Sequence, residues 1–176
     1  MTLPELGIPL LFDYLYWLRD RVLQAAAGLG EAFAETPVVG TRDLRGTLAH
    51  EIDVEMSWRA RLRGEPPAAW GPEVEIRPEH VPTLDAVRDR WATEESAMRA
   101  WLDGLSASDL AAPVTVNDLE GYPLAIYLLH VAEHSVMELT SAAAILAGIG
   151  RSTGDLGVLD ALDDLSPLPR PGSADA

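Results

Sequence analysis

Apolar residues recur along this chain with the 3.6-residue period of amphipathic helices in four long segments. The segments cover about residues 8–29, 41–63, 83–105 and 122–148. In the first of them the apolar stripe consists of Leu11, Tyr14, Leu15, Leu18, Val22 and Ala25. Long amphipathic segments of this kind are typical of helical bundles, so the pattern predicts an all-α fold, a four-helix bundle.

Residues that favour helix ends delimit the second and third segments. Thr41 and Thr83 stand where these segments begin, and threonine is a favoured N-cap residue. Gly64, Pro66 and Pro67 follow the second segment, and neither residue type continues a helix well. The second helix is therefore predicted to start at its threonine cap and to stop before a proline-rich connection.

The connection between the second and third helices, residues 64–82, is long for a compact domain. It contains five prolines and one tryptophan, Trp70, and we expect His80 within it to lie at the surface. We interpret the segment as a long crossover loop with Trp70 in the core, and a lid or binding loop is the alternative. Farther along, residues 113–117 alternate polar and apolar positions, which allows a short strand or hairpin.

Length and composition indicate a single domain, because 176 residues with 48% apolar content can bury one sizeable core. We assign residues 1–165 to this domain and expect the proline-rich residues 166–176 to form a disordered tail. The apolar run from Ile8 to Leu18 has no basic leader and contains Asp13. We therefore predict neither a signal peptide nor a membrane span. We expect the protein to be cytoplasmic.

Charge and cysteine content exclude further classes of function. The formal net charge is −15, and beyond Arg99 the only basic residues are Arg151 and Arg170. Such a surface repels phosphate backbones, so we expect a small-molecule substrate and no nucleic acid partner. The chain has no cysteine, which excludes disulfides and thiolate ligands. Any thiol chemistry would need a thiol from outside the chain.

The most informative residues are two histidines, His130 and His134, in the longest apolar stretch. Side chains at positions i and i+4 share one face of a helix, so both imidazoles can point at one object. Imidazole is the commonest protein ligand for zinc-like metals. The pair therefore indicates a metal site, and a pair of satisfied core histidines is the alternative.

A third histidine, His50, lies in the second helix on a stripe with Val54 and Trp58 that can face the bundle interior. The stripe that carries the histidine pair also contains Ile126, Tyr127, Met137, Ser141 and Ile145. Because these neighbours are mainly apolar, we expect all three imidazoles to point inward. Three buried, unpaired imidazoles would be costly, whereas a bound metal would satisfy them and leave a coordination position open for catalysis.

The segments around these histidines resemble the DinB/YfiT-like superfamily over about residues 8–165. The resemblance rests on Leu44 to His50, on the Met56-Ser57-Trp58-Arg59 that follows, and on Leu128-Leu129-His130 with His134. It implies a four-helix bundle with a long crossover, in which His50, His130 and His134 hold a divalent metal such as zinc or nickel. Where many members continue with His-Arg-Gly-Gln, this chain reads Glu138-Leu139-Thr140-Ser141.

The resemblance also implies a metal-dependent transferase that uses a low-molecular-weight thiol such as bacillithiol or mycothiol, or a hydrolase. Glu51, Glu55 and Glu133 are candidates for proton transfer, and the alternative, which we favour for at least two of them, is a solvated face. Helical bundles of this kind often pair, so a homodimer is an expectation. The aromatic residues that could wall the pocket, rather than fill the core, are Tyr14, Trp17, Trp58 and Tyr127.

Two other functions compete with this hypothesis. His130, Glu133 and His134 formally match the His-x-x-Glu-His motif of inverted zinc peptidases. Those enzymes need a further glutamate ligand downstream, and no glutamate follows Glu138. The second alternative is a non-enzymatic, stress-related binding or scaffold protein in which the metal is structural or absent.

Overall fold

The computed structural model describes residues 3–165, and this part of the chain is helical. Its helices are α1 Leu3–Ala25, α2 Leu44–Leu62, α3 Leu84–Leu102, α4 Ala107–Ala111, α5 Leu124–Gly148 and α6 Val158–Leu165. The four long helices correspond to the four predicted segments, so the all-α prediction is confirmed. The predicted tail, 166–176, lies outside the described residues.

Helix ends follow the predicted capping chemistry at one helix and depart from it at another. Thr83 caps α3, since its hydroxyl accepts a hydrogen bond from the backbone N–H of Ala86 at 3.1 Å. The cap of α2 is Asp43 rather than Thr41, because the Asp43 carboxylate accepts the Gly46 N–H at 2.6 Å. Both residue types are good caps, and the one that directly precedes the first helical turn takes the role.

Two short helices were not predicted. The helix α4 follows α3 after a tight turn, with Ser106 and Asp109 forming a reciprocal capping box. Within residues 3–165 no strand forms, and the segment that allowed one contributes only an isolated antiparallel bridge between Pro113 and Pro123. The short helix α6 packs against α1, where Trp17 donates its indole N–H to Asp164 at 2.9 Å.

Helix α5 is the central packing element, because it contacts both α1 and α2 along its length. Two buried apolar clusters fill the bundle. One is centred on Leu18, Leu48 and Trp91, and the other surrounds Met98 and Leu128. The candidate site lies between α2 and α5, at the edge of this core.

The long crossover between α2 and α3 is packed against α2 through two of its apolar side chains. Ile76 and Val81 are buried in the core, whereas Trp70 is only half-buried, so the expectation that Trp70 enters the core is wrong. The Trp70 ring instead faces the guanidinium of Arg61, 5.0 Å from the ring centroid, and Arg61 also lies 4.7 Å from the Trp58 ring centroid. The contact between Arg61 and Trp70 joins the loop to α2.

Buried carboxylates are a second feature of α2. Glu51 and Glu55 lie one helical turn apart, and both are buried. Glu55 accepts hydrogen bonds from the Tyr16 hydroxyl and, at 2.9 Å, from the Trp91 indole N–H. Burial raises the pKa of Glu55 to about 8. The solvated face considered for these glutamates is therefore wrong for both of them.

Across the described residues, none of the helices has the length and apolar character needed to span a lipid bilayer.

Candidate metal centre

Three side chains that can ligate a metal meet between α2 and α5. His50 comes from α2, while His134 and Glu138 lie one turn apart on α5, and one ligand atom of each is within 4.8 Å of the others. The imidazole centroids of His50 and His134 are 5.3 Å apart, and His134 Nε2 is 3.9 Å from Glu138 Oε1. The structure thus brings together two of the three predicted histidines and adds a carboxylate that the sequence prediction missed.

His130, the remaining predicted ligand, is not part of this group. Its ring is exposed and packs edge-on against Trp58, with 5.1 Å between the ring centroids. Four residues turn an α-helix by about 40° more than one full turn, so His130, His134 and Glu138 point in successively rotated directions. The rotation of α5 turns His134 and Glu138 toward His50 and leaves His130 outside.

The same rotation corrects the stripe expected to face the core. Ile126 and Met137 are 50% and 56% exposed, although Tyr127 and Ile145 on that stripe are buried. The observed buried face of α5 consists of Leu124, Tyr127, Leu128, Val131, Ala132, Ser135, Leu139, Ala142, Ile145 and Leu146. The metal-ligand group therefore lies on the flank of this face, where His134 and Glu138 are 24% and 18% exposed.

Glu51 orients His134 from the buried side. His134 Nδ1 is 3.1 Å from Glu51 Oε2, and the Ser135 hydroxyl donates to Glu51 Oε1. A histidine that donates its Nδ1–H to a carboxylate keeps the Nε2 lone pair free for a metal. Because Nε2 is also the nitrogen near Glu138, the ring is held in the orientation that a metal ligand needs.

The electrostatic environment differs between the two imidazoles. Burial, followed by the nearby Arg42 guanidinium, lowers the pKa of His50 and favours its neutral form. The hydrogen bond with Glu51 raises the pKa of His134. Burial raises the pKa of Glu51, because the carboxylate is cut off from solvent.

The donor set fits a zinc-like ion. Two imidazoles and one carboxylate are a common ligand combination for catalytic zinc, and they leave a position for water or substrate. A tetrahedral ion with bonds of about 2.1 Å holds its ligand atoms about 3.4 Å apart. The observed ligand atoms all lie within 4.8 Å of one another.

A cleft of about 390 Å³ opens beside His50, between the start of α2 and the crossover loop. It is lined by Val38, Thr41, Arg42, Asp43, Gly46, His50, Asp53, Glu75, Ile76, Arg77 and Pro78. The volume suits a small molecule. Of the three ligand residues, His50 is the one that lines this cleft.

The aromatic residues predicted to wall the pocket lie elsewhere. Tyr14 stacks on Trp17, with 6.3 Å between ring centroids, and Trp58 packs on Tyr127 at 5.9 Å. None of the four lines the cleft beside the histidine of α2. All four contribute to core packing instead: Trp17 and Tyr127 are buried in the two clusters, and Tyr14 and Trp58 pack against them.

The other candidate residues are on the surface. Glu133 is exposed on α5, away from the three-residue group, so its proposed part in proton transfer has no support in the geometry. His80 is exposed as expected, and its Nδ1 accepts the Arg77 backbone N–H at 3.2 Å.

Comparison with known proteins gives one family match. Residues 14–140 match the family model of the DinB superfamily, which is most of the chain and includes His50, His134 and Glu138. No curated protein matches the chain.

Proposed function

The chain belongs to the DinB superfamily, and on that premise we propose that it is a metal-dependent enzyme in which His50, His134 and Glu138 hold a divalent ion, Zn²⁺ or Ni²⁺. The proposal rests on one observation. The ligand atoms of these three residues lie close together beside a cleft, and a buried carboxylate, Glu51, contacts the His134 imidazole. An ion bound there would lower the pKa of a coordinated water or thiol, so that a nucleophile forms at neutral pH.

Each protein group has a distinct part in this function. Glu51 fixes the tautomer and the rotation of His134, and burial keeps His50 in the neutral form that coordinates. The cleft lined by His50 is large enough for a small molecule. Because the chain contains no cysteine, a sulfur nucleophile has to come from a cosubstrate.

The reaction we favour is a group transfer in which a low-molecular-weight thiol of the bacillithiol or mycothiol type takes part. Metal-assisted hydrolysis is the alternative. Two features support a reaction rather than a purely structural ion. Three protein ligands leave coordination positions open for water or substrate, and one of the three ligand residues, His50, lines the cleft. Pairing of two chains as a homodimer stays a prediction.

The test is metal analysis of the untagged full chain after reconstitution with zinc or nickel. We expect about one equivalent of metal per chain, lost in His50→Ala and His134→Ala and strongly weakened in Glu138→Gln. His80→Ala is the matched control, because it removes an exposed histidine of the crossover loop. A wild-type chain that retains no metal would overturn the proposal.

His130→Ala decides between the two ligand sets. The structure predicts that this variant keeps its metal, since His130 packs on Trp58 outside the group. If His130→Ala loses the metal while Glu138→Gln retains it, the three-histidine set expected from the sequence is correct instead.

A further inference from the structure

The Arg42 guanidinium stands at the cleft beside His50, and its ion pair with Glu138 is a long one. Its nearest carboxylate oxygen is Glu138 Oε1, 3.7 Å from Nη1, which is too long for a hydrogen bond. The side chain is 37% exposed, and within the described residues it donates no side-chain hydrogen bond. By contrast, Arg59 donates to both carboxylate oxygens of Glu94.

The other charged groups of the cleft are already engaged. Asp43 caps α2 through the Gly46 N–H, and Asp53 accepts the Ile76 N–H at 2.7 Å. Glu75 and Arg77 form an ion pair at 3.0 Å. Arg77 donates only its Nε–H to Glu75, so the open donors of the cleft are those of Arg42 and the terminal N–H groups of Arg77. Of these two arginines, Arg42 is the one that pairs with a member of the metal-ligand group.

Arg42 is also close to the metal-ligand group. Glu138 Oε1 is 3.7 Å from its Nη1, and a Glu138 oxygen lies within 4.8 Å of the ligand nitrogens of His50 and His134. A Glu138 carboxylate that ligates a cation attracts Arg42 less, since its charge is shared with the ion. The planar guanidinium fork would then be free to bind an oxyanion with two parallel hydrogen bonds.

We propose that Arg42 is the substrate-binding residue of this cleft and that the substrate is a small molecule carrying an oxyanion, such as a carboxylate, close to the atom that binds the metal. The inference rests on the proposed metal-dependent function. Because Arg42 lies close to the ligand group, the oxyanion and the metal-binding atom of the substrate can be only a few bonds apart. A compact α-substituted acid has this arrangement.

The test uses cobalt(II)-loaded full-length protein and two thiol probes that differ only in the charged group. Mercaptoacetate and 2-mercaptoethanol both give a thiolate-to-cobalt absorption band, which reports binding without any assay of activity. We expect the wild type to bind mercaptoacetate at least about 10-fold more tightly, as a charge-assisted hydrogen bond allows. Competition by inorganic phosphate at constant ionic strength shows whether a phosphate serves as well as a carboxylate.

Arg42→Gln should remove the preference for mercaptoacetate and leave the affinity for 2-mercaptoethanol within about 2-fold. Arg77→Gln is the matched control, because Arg77 lines the same cleft but is paired with Glu75, and it should keep the preference. If Arg42→Gln does not fold, Arg42→Lys takes its place and should reduce the preference, since lysine cannot form the bidentate contact.

The outcomes separate the inference from the function on which it rests. A wild-type protein that shows no cobalt spectrum overturns the metal site and the inference together. A cobalt protein that binds both thiols equally, or a preference that survives in Arg42→Gln, overturns the role of Arg42 alone and leaves the metal site standing.

Discussion

Glu55 should make the protein less stable as the pH rises from acid to neutral. Its carboxyl is buried in the bundle, where Tyr16 and Trp91 donate to its two oxygens. Burial is the main cause of its raised pKa of about 8, and repulsion from Glu51 and Glu94 acts in the same direction. The folded chain therefore holds this proton to a higher pH than the unfolded chain does.

The sign and the size of the effect follow from this difference in pKa. Between the ordinary value of 4.5 and the folded value of about 8, the folded state binds more protons than the unfolded state. The free energy of unfolding therefore falls with rising pH across this window and levels off above it. At 1.36 kcal/mol per pKa unit, the loss attributable to Glu55 between pH 5 and pH 9 is about 4 kcal/mol.

The variant Glu55→Gln isolates this contribution, because an amide does not titrate. Its carbonyl can accept from Trp91, and its NH₂ can donate to the Tyr16 hydroxyl, which rotates to accept. We expect urea unfolding curves to show a variant that gains stability relative to the wild type by several kcal/mol from pH 5 to pH 9.

Glu133→Gln, at an exposed position of α5, controls for the loss of one formal charge. A difference between wild type and Glu55→Gln that is the same at pH 5 and pH 9 would refute the reasoning. It would mean that Glu55 has the same proton affinity in the folded and unfolded chain.

Three further predictions concern contacts elsewhere in the bundle. Glu51→Gln should weaken metal binding about 10- to 100-fold in competition with a chromophoric chelator, because the carboxylate behind the imidazole is lost; unchanged affinity would contradict its orienting role. Arg59→Met should lower the free energy of unfolding by about 3 kcal/mol, since it leaves the Glu94 carboxylate buried without its partner; a loss below about 1 kcal/mol would show that the ion pair is well solvated. Asp43→Ala should cost about 1 kcal/mol in urea unfolding and Thr41→Ala less than about 0.5 kcal/mol, and the reverse order would restore Thr41 as the cap.

The helices could be predicted from the sequence because they depend on local information. The period of apolar residues sets which segments are helical, and Thr83 acts as the cap that its side chain predicts. The end of α2 near Gly64 follows the same logic. These features need no knowledge of what the helix packs against.

The buried carboxylates could not be predicted, because their partners are distant in the sequence. Glu51 and Glu55 look like ordinary polar positions of α2 when the helix is considered alone. Glu55 is stabilised by Tyr16 of α1 and Trp91 of α3, and Glu51 by residues of α5. Only the assembled bundle shows that these two positions face inward.

The composition of the ligand group could not be predicted from local sequence information alone. The i, i+4 spacing of His130 and His134 indicates that both side chains lie on the same broad face of the helix. It does not determine which side chains of that face meet at one point. Whether His130 or Glu138 joins His134 depends on the rotation of α5 about its own axis. That rotation is set by the large apolar face that α5 buries against α1 and α2.

The position of the group at the edge of the core explains how one site can be both rigid and accessible. Toward the interior, the buried Glu51 carboxylate hydrogen-bonds the His134 ring, and the buried Ser135 hydroxyl donates to Glu51. Toward the surface, Arg42 borders a cleft large enough for a small molecule. His130, by contrast, is exposed, and its ring packs on Trp58. Because four residues of α5 rotate about 40° beyond one full turn, His134 and Glu138 face His50 while His130 stays at the surface.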